Sequence, residues 1–130
     1  QHTSFDEIDI FSPCATGGDL NQDFINFHNS KKVKCILGAA NNQLANNNIE
    51  RKLFDLGITY CPDYCVNAGG VIILALRSSL KEDMEYDDPE ADKQLKGIKD
   101  QLKKILELSK NKNQLSTTSS NELAEKGFLN

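Results

Sequence analysis

A chain of 130 residues with 38% apolar and 26% charged side chains has the make-up of one globular domain with a modest core. Its net charge of −4 leaves no basic stripe to neutralise phosphates, which sets nucleic acid aside as a partner. No apolar run reaches bilayer length and no signal peptide is visible, so a membrane role is not expected and a cytoplasmic setting is.

In chain order, Ile8 to Phe11 reads as a short strand stopped by Ser12-Pro13. Asp19 to His28 predicts a helix with Phe24 and Phe27 on a shared side, closed by Asn29-Ser30. Val33 to Leu37 is the second strand, followed by the small-residue turn Gly38-Ala39-Ala40. Asn46-Asn47-Asn48 starts a helix whose apolar stripe is Ile49, Leu53 and Leu56, with Gly57 placed to end it. Ile58 to Cys61 is the third strand, stopped by Pro62. Asn67 suits the cap of a helix opening at Ala68-Gly69-Gly70, and Val71 to Leu76 is apolar on every side, which predicts an enclosed helix.

The tail differs. Lys81 to Asp92 is acidic and contains Pro89, which reads as a linker or helix break. Leu95, Ile98, Leu102 and Ile105 recur at helical spacing, with Leu106 broadening the face and Asp92–Lys96 as a supporting pair. Ser119 to Glu122 fits a capping box for a last short helix ending at Gly127. Alternation of strand and helix over the first part argues for a parallel sheet with right-handed crossovers, and ligands in such sheets sit outside the carboxyl ends of the strands.

Two asparagine-rich turns fall at that edge. Asn41 and Asn42 follow the second strand; a primary amide donates and accepts together, which suits a carboxamide or a carboxylate, although an Asx turn would use the same residues. Asn67-Ala68-Gly69-Gly70 follows the third strand, at a helix start that favours an anion or packs closely against a neighbour. Pro13-Cys14-Ala15-Thr16-Gly17-Gly18 leaves room for a ribose or pyrophosphate edge, and is equally an ordinary turn. Asp63 is the acidic residue nearest this edge.

Four cysteines, at 14, 35, 61 and 65, read as free thiols in a reducing compartment. Their spacing does not make a zinc site, and no metal is expected. No base in sequence accompanies Cys14 as a nucleophile, and His2 and His28 lie in no catalytic motif.

Three stretches carry a resemblance: Asp9-Ile10-Phe11-Ser12-Pro13-Cys14-Ala15, Gly38-Ala39-Ala40-Asn41-Asn42-Gln43-Leu44 and Pro62-Asp63-Tyr64-Cys65-Val66-Asn67-Ala68-Gly69-Gly70-Val71. In order and spacing they resemble the glutamate/leucine/phenylalanine/valine dehydrogenases, with the flavour of the leucine branch. The resemblance runs from Ile8 to Leu80 and resumes at Asn121 to Glu125.

The resemblance implies a partial Rossmann-like, three-layer α/β domain with a mostly parallel sheet over residues 1–80, and a C-terminal helical extension over 81–130. It implies a parent enzyme, a homo-oligomer, that oxidatively deaminates an apolar L-amino acid to a 2-oxo acid and ammonia with NAD, or with NADP. By the same resemblance Cys14 and Ala15 would lie on the adenosine-ribose side of the cofactor groove, and Asn41 by the nicotinamide ribose or carboxamide. Asn67 would hold nicotinamide or the substrate's carboxylate and amino group, and Val71 and Leu74 would line the side-chain pocket. The family's catalytic lysine and aspartate and its glycine-rich pyrophosphate turn have no counterpart here, so no catalytic residue is assigned and the chain alone is expected to be inactive. Its first residue is Gln1, which reads as a cut end or a missing start. Two accounts remain open at this stage: a fragment of such a dehydrogenase, and a non-catalytic dimerisation or cofactor-sensing module derived from one.

Overall fold

The computed structural model describes residues 8–28, 33–78 and 89–128. The expected helix closure at Asn29-Ser30, the acidic stretch before Pro89 and His2 lie outside them. Three short strands, β1 (Ile10–Phe11), β2 (Cys35–Ile36) and β3 (Thr59–Tyr60), form a parallel sheet in the order β1-β2-β3. They alternate with helices α1 (Gln22–His28) and α2 (Asn47–Asp55), followed by α3 (Asp63–Val66), α4 (Gly69–Ser78), α5 (Pro89–Lys112) and α6 (Ser116–Phe128). This is the mixed α/β, parallel-sheet architecture with C-terminal helices that the sequence pattern predicts. Among the described residues no helix is long and apolar enough to cross a membrane.

The regular ladder is shorter than the apolar runs. Hydrogen bonds continue past it, from Leu37 N to Phe11 O (3.1 Å) and from Cys61 N to Ile36 O (2.9 Å), before Pro13, Gly38 and Pro62 turn the chain away. Along each strand side chains alternate between faces. Phe11, Ile36 and Tyr60 share the face that meets Leu20, Phe24, Ile25, Ile49 and Leu53, and this is the core. Phe11 and Phe24 stack with ring centroids 4.9 Å apart. Phe27 does not share that side: it is half exposed, because the core-facing stripe of α1 runs through Phe24 and Ile25.

α2 forms as its sequence dictates. Asn46 caps it, its side chain accepting from Asn48 N at 3.0 Å. At the other end Gly57, at φ +73°, takes the left-handed position, and Gly57 N and Ile58 N bond back to Phe54 O and Leu53 O. These two bonds close a Schellman motif. α1 starts later than Asp19, because Asn21 caps it by accepting from Phe24 N at 3.0 Å.

Four expectations change in the second half. Pro89 opens α5 rather than breaking a helix, since proline lacks the N–H that a first-turn residue would leave unpaired. A four-residue helix, α3, occupies Asp63–Val66, where no helix was expected. Val71 and Leu74 are 71% and 69% exposed, so α4 is not enclosed; it packs on α5 along one side, with Leu95 against Gly69. α6 begins at Ser116, ahead of the Ser119 capping box, because its cap comes from elsewhere. Glu50 of α2, buried, accepts from Ser116 Oγ (2.9 Å), Thr117 N (3.0 Å) and Thr117 Oγ1 (2.5 Å). A carboxylate at a helix N-terminus satisfies orphan N–H groups and favours the helix dipole.

Glu50→Ala removes that acceptor and strands the buried Ser116 hydroxyl and the half-buried Thr117 N–H and hydroxyl. The expected cost is about 2–3 kcal/mol in urea unfolding, with earlier proteolysis of the tail beyond Asn113.

At the other face of α6, Glu122 meets Lys112 (2.6 Å) and Lys126 (2.9 Å). The hydrogen bonds from Lys112, then Lys126, then Gln114 lower its pKa from 4.5 to about 2. A depressed carboxylate contributes stability that is present above its unfolded pKa and lost as pH falls through the folded one. The loss therefore falls between pH 4.5 and 2, and Glu122→Gln flattens the acid limb of stability against pH across that window.

Candidate functional site

The parallel order brings the carboxyl ends of β1, β2 and β3, and the loops after them, to one edge. The loop after β1 zips to the loop after β2: Ala40 N bonds Pro13 O (3.0 Å), Gly18 N bonds Asn42 O (2.8 Å) and Leu20 N bonds Gln43 O (3.0 Å). Gly38 lies so close to Pro13 that a Cβ there would stand 2.1 Å from Pro13 O. Glycine at this position is a steric requirement.

Gln43 is fully buried, and its Nε2 donates to Gly38 O (2.8 Å) and Ala40 O (2.9 Å). Its Oε1 is buried with no hydrogen-bond partner among the described residues. Its backbone N donates to Asp63 Oδ2 at 3.2 Å, and Asp63 Oδ1 accepts from Tyr64 N at 2.8 Å. Asp63 Oδ2 thus ties α3 to the second loop, while Oδ1 holds the first turn of α3 itself.

This bracing sets Asn67 beside Asn41. Asn67 is not the cap of α4; it ends α3, and its Nδ2 donates to Asn41 Oδ1 at 2.5 Å. The pair lines a cavity of about 410 Å³ together with Asn42, Asp63, Tyr64, Ala68 and Val71. Asn42 holds φ +53°, a left-handed conformation that asparagine tolerates. Beyond their mutual bond, and among the described residues, Asn41 Nδ2, one Asn67 N–H and Asn67 Oδ1 are left as donors and acceptor. Burial pushes the Tyr64 phenol up, so it stays protonated at the cavity edge near neutral pH.

Of the residues singled out from sequence, Asn41, Asn67 and Val71 meet in this cavity. Leu74 lies one helical turn further along α4, exposed. Cys14 and Ala15 are exposed in the loop after β1, with Cys14 Sγ accepting from Ala39 N at 3.5 Å. That N–H, then the Ser12 hydroxyl, lowers the Cys14 pKa. Sequence reasoning placed Asp63 near this edge but did not find the brace roles of Gln43 and Asp63; for Gln43 the signal is burial, and burial of a polar side chain is not local information.

A second cavity, about 470 Å³, lies between β3 and the α5–α6 pair, lined by Glu50, Phe54, Thr59, Leu106 and Lys110 among others. Its buried carboxylate already accepts three hydrogen bonds from α6.

Residues 2–127 match the sequence profile of the Glutamate/Leucine/Phenylalanine/Valine dehydrogenase family. The chain belongs to this family. It is 38% identical over 125 residues, 95% of its length, to an L-tryptophan dehydrogenase of Nostoc punctiforme. It is 40% identical over 103 residues, 79% of its length, to a leucine dehydrogenase of Bacillus subtilis, covering 26% of that protein. The crystal structure of L-tryptophan dehydrogenase from Nostoc punctiforme superposes with a TM-score of 0.81 at 38% identity, over 94% of this chain and 34% of that one. Tryptophan and leucine dehydrogenases match at similar identity, so the expected leaning to the leucine branch is not singled out. The chain spans about a third of the length of the tryptophan dehydrogenase it matches.

Gly38→Ala is expected to cost about 3 kcal/mol or more in denaturant unfolding, because backbone must shift to admit the methyl group. Gly70→Ala, in the first turn of α4 with nothing within 4 Å of its would-be Cβ, is expected to be neutral or stabilising by up to about 1 kcal/mol.

Proposed function

We propose that this chain is the nicotinamide- and substrate-facing part of an L-amino-acid dehydrogenase. In this reading the full-length enzyme oxidises an apolar L-amino acid to a 2-oxo acid and ammonia with NAD or NADP. A separate N-terminal domain brings the lysine and aspartate that do the proton chemistry. The enzyme works in the cytoplasm as a homo-oligomer, and residues 1–80 and 81–130 are its half-Rossmann portion and helical extension.

The observation that carries this reading is the bonded Asn41–Asn67 pair at the strand ends, inside a cavity bordered by the first turn of α4. Two primary amides held by each other present the donor and acceptor set that complements a carboxamide, so the residues present fit a nicotinamide group. Asn41 would hold its carboxamide or ribose, and Asn67 the ring or the substrate's carboxylate and amino group. Cys14 and Ala15 would flank the adenosine ribose. The cofactor, when bound, supplies the hydride acceptor. This chain's own residues bind and orient: fixing two reactants in one geometry is worth a large share of a barrier. Val71 and Leu74 offer apolar surface where the amino acid's side chain would lie, which favours an apolar substrate over glutamate.

The full-length protein containing this chain, assayed with NAD and NADP against leucine, valine, phenylalanine and tryptophan, is expected to form reduced cofactor. Asn67→Ala in it should lower kcat/KM on the order of a hundredfold without changing the circular dichroism. Absence of reduced cofactor with every apolar amino acid would sink the reading.

A further inference from the structure

Cys35 on β2 and Cys61, the residue just after β3, have their Sγ atoms 3.8 Å apart. Cys35 pairs with Thr59 in register, and the alternation of side chains puts Cys61 on the same face, one step along the neighbouring strand. That face is opposite the core face of Ile36 and Tyr60. Cys35 is half-buried and reachable, whereas Cys61 is buried. From the geometry we infer that Cys35 and Cys61 form an intrachain disulfide site, filled by exchange with a small-molecule disulfide such as oxidised glutathione. The inference stands apart from the dehydrogenase reading.

The two thiols are unequal in the way the exchange needs. A hydrogen bond from Cys61 favours the Cys35 thiolate and brings its pKa down to about 7, against the opposing effect of burial. The same bond, then burial, holds the proton on Cys61 and pushes its pKa up. Cys35 is therefore the attacking thiolate. It displaces one glutathione from the oxidised dimer and becomes a mixed disulfide, and the departing thiolate takes up a proton. With Cys35 capped, the negative sulfur that held the Cys61 proton is gone. Cys61 then loses its proton and attacks Cys35 Sγ, releasing the second glutathione as a thiol. The two cysteines lose two protons and two electrons in all, and the small disulfide leaves as two thiols. A disulfide is about 2.05 Å long, so the sulfurs close by roughly 1.7 Å. Burial pushes the Cys65 thiol up, which makes it a poor competitor.

The bond would join the two strands just ahead of the loops that carry Asn41 and Asn67. Cys35 lies three residues before Gly38, and Cys61 two before Asp63.

Cys14 is exposed and would take an adduct of its own, so the test uses the full 130-residue chain carrying Cys14→Ser. After exposure to oxidised glutathione under native conditions and an acid quench, free thiols are expected to fall from three to one. The mass should drop by about 2 Da, for the two hydrogens lost. Trypsin should then release residues 35–51 linked to 53–77, and adding Cys65→Ser should leave the link in place. Adding Cys61→Ser instead should stop the chain at a glutathione adduct on Cys35. Three thiols retained, a stable glutathione adduct with Cys61 intact, or a link through Cys65 would each overturn the inference.

Discussion

One buried residue ties the edge at the strand ends together. Gln43 bonds through Nε2 to the carbonyls of Gly38 and Ala40, through its backbone N–H to Asp63, and through its backbone oxygen to Leu20 N. Those partners sit in the loops after all three strands. Hydrogen bonds in a dry interior are stronger than in water, and an unmade one is correspondingly costly. The Gln43 side chain shapes its own loop and the backbone of the same residue holds the other two, although Gln43 does not line the asparagine cavity.

The parallel sheet explains why the braces are needed. Its strands are short, so few ladder bonds hold their carboxyl ends in place. Loop-to-loop bonds take over where the ladder stops, and the contact of Gly38 with Pro13 leaves no slack between the first two loops. Helix packing does the complementary job: α5 supports α3 and α4 from behind and leaves the outer side of α4 open to the cavity. Braced turns and the open apolar side of α4 together border the asparagine cavity.

The order of strands and helices was legible because period and punctuation agreed. Asn46, the stripe Ile49 and Leu53, and Gly57 each mark α2 independently. Motif resemblance brought Asn41, Asn67 and Val71 to one region, where the structure also puts them. What escaped was non-local. α3 hides in Asp63–Val66 because four residues give no helical period. Val71 to Leu76 reads as buried because hydropathy cannot distinguish a core from a cleft wall. Asn67 looks like a cap by position, yet bonds a residue 26 positions away. The start of α6 was misplaced because its capping group is supplied by another helix.

That last arrangement has a consequence for the order of assembly. The first turns of α6 read Ser116-Thr117-Thr118-Ser119-Ser120, residues whose side chains compete for backbone bonds and start helices poorly on their own. Their missing N-terminal partner, Glu50, comes from 66 residues earlier. α6 thus docks on an acceptor carried by a helix that is made before it. Synthesis from the N-terminus delivers the acceptor before the segment that depends on it.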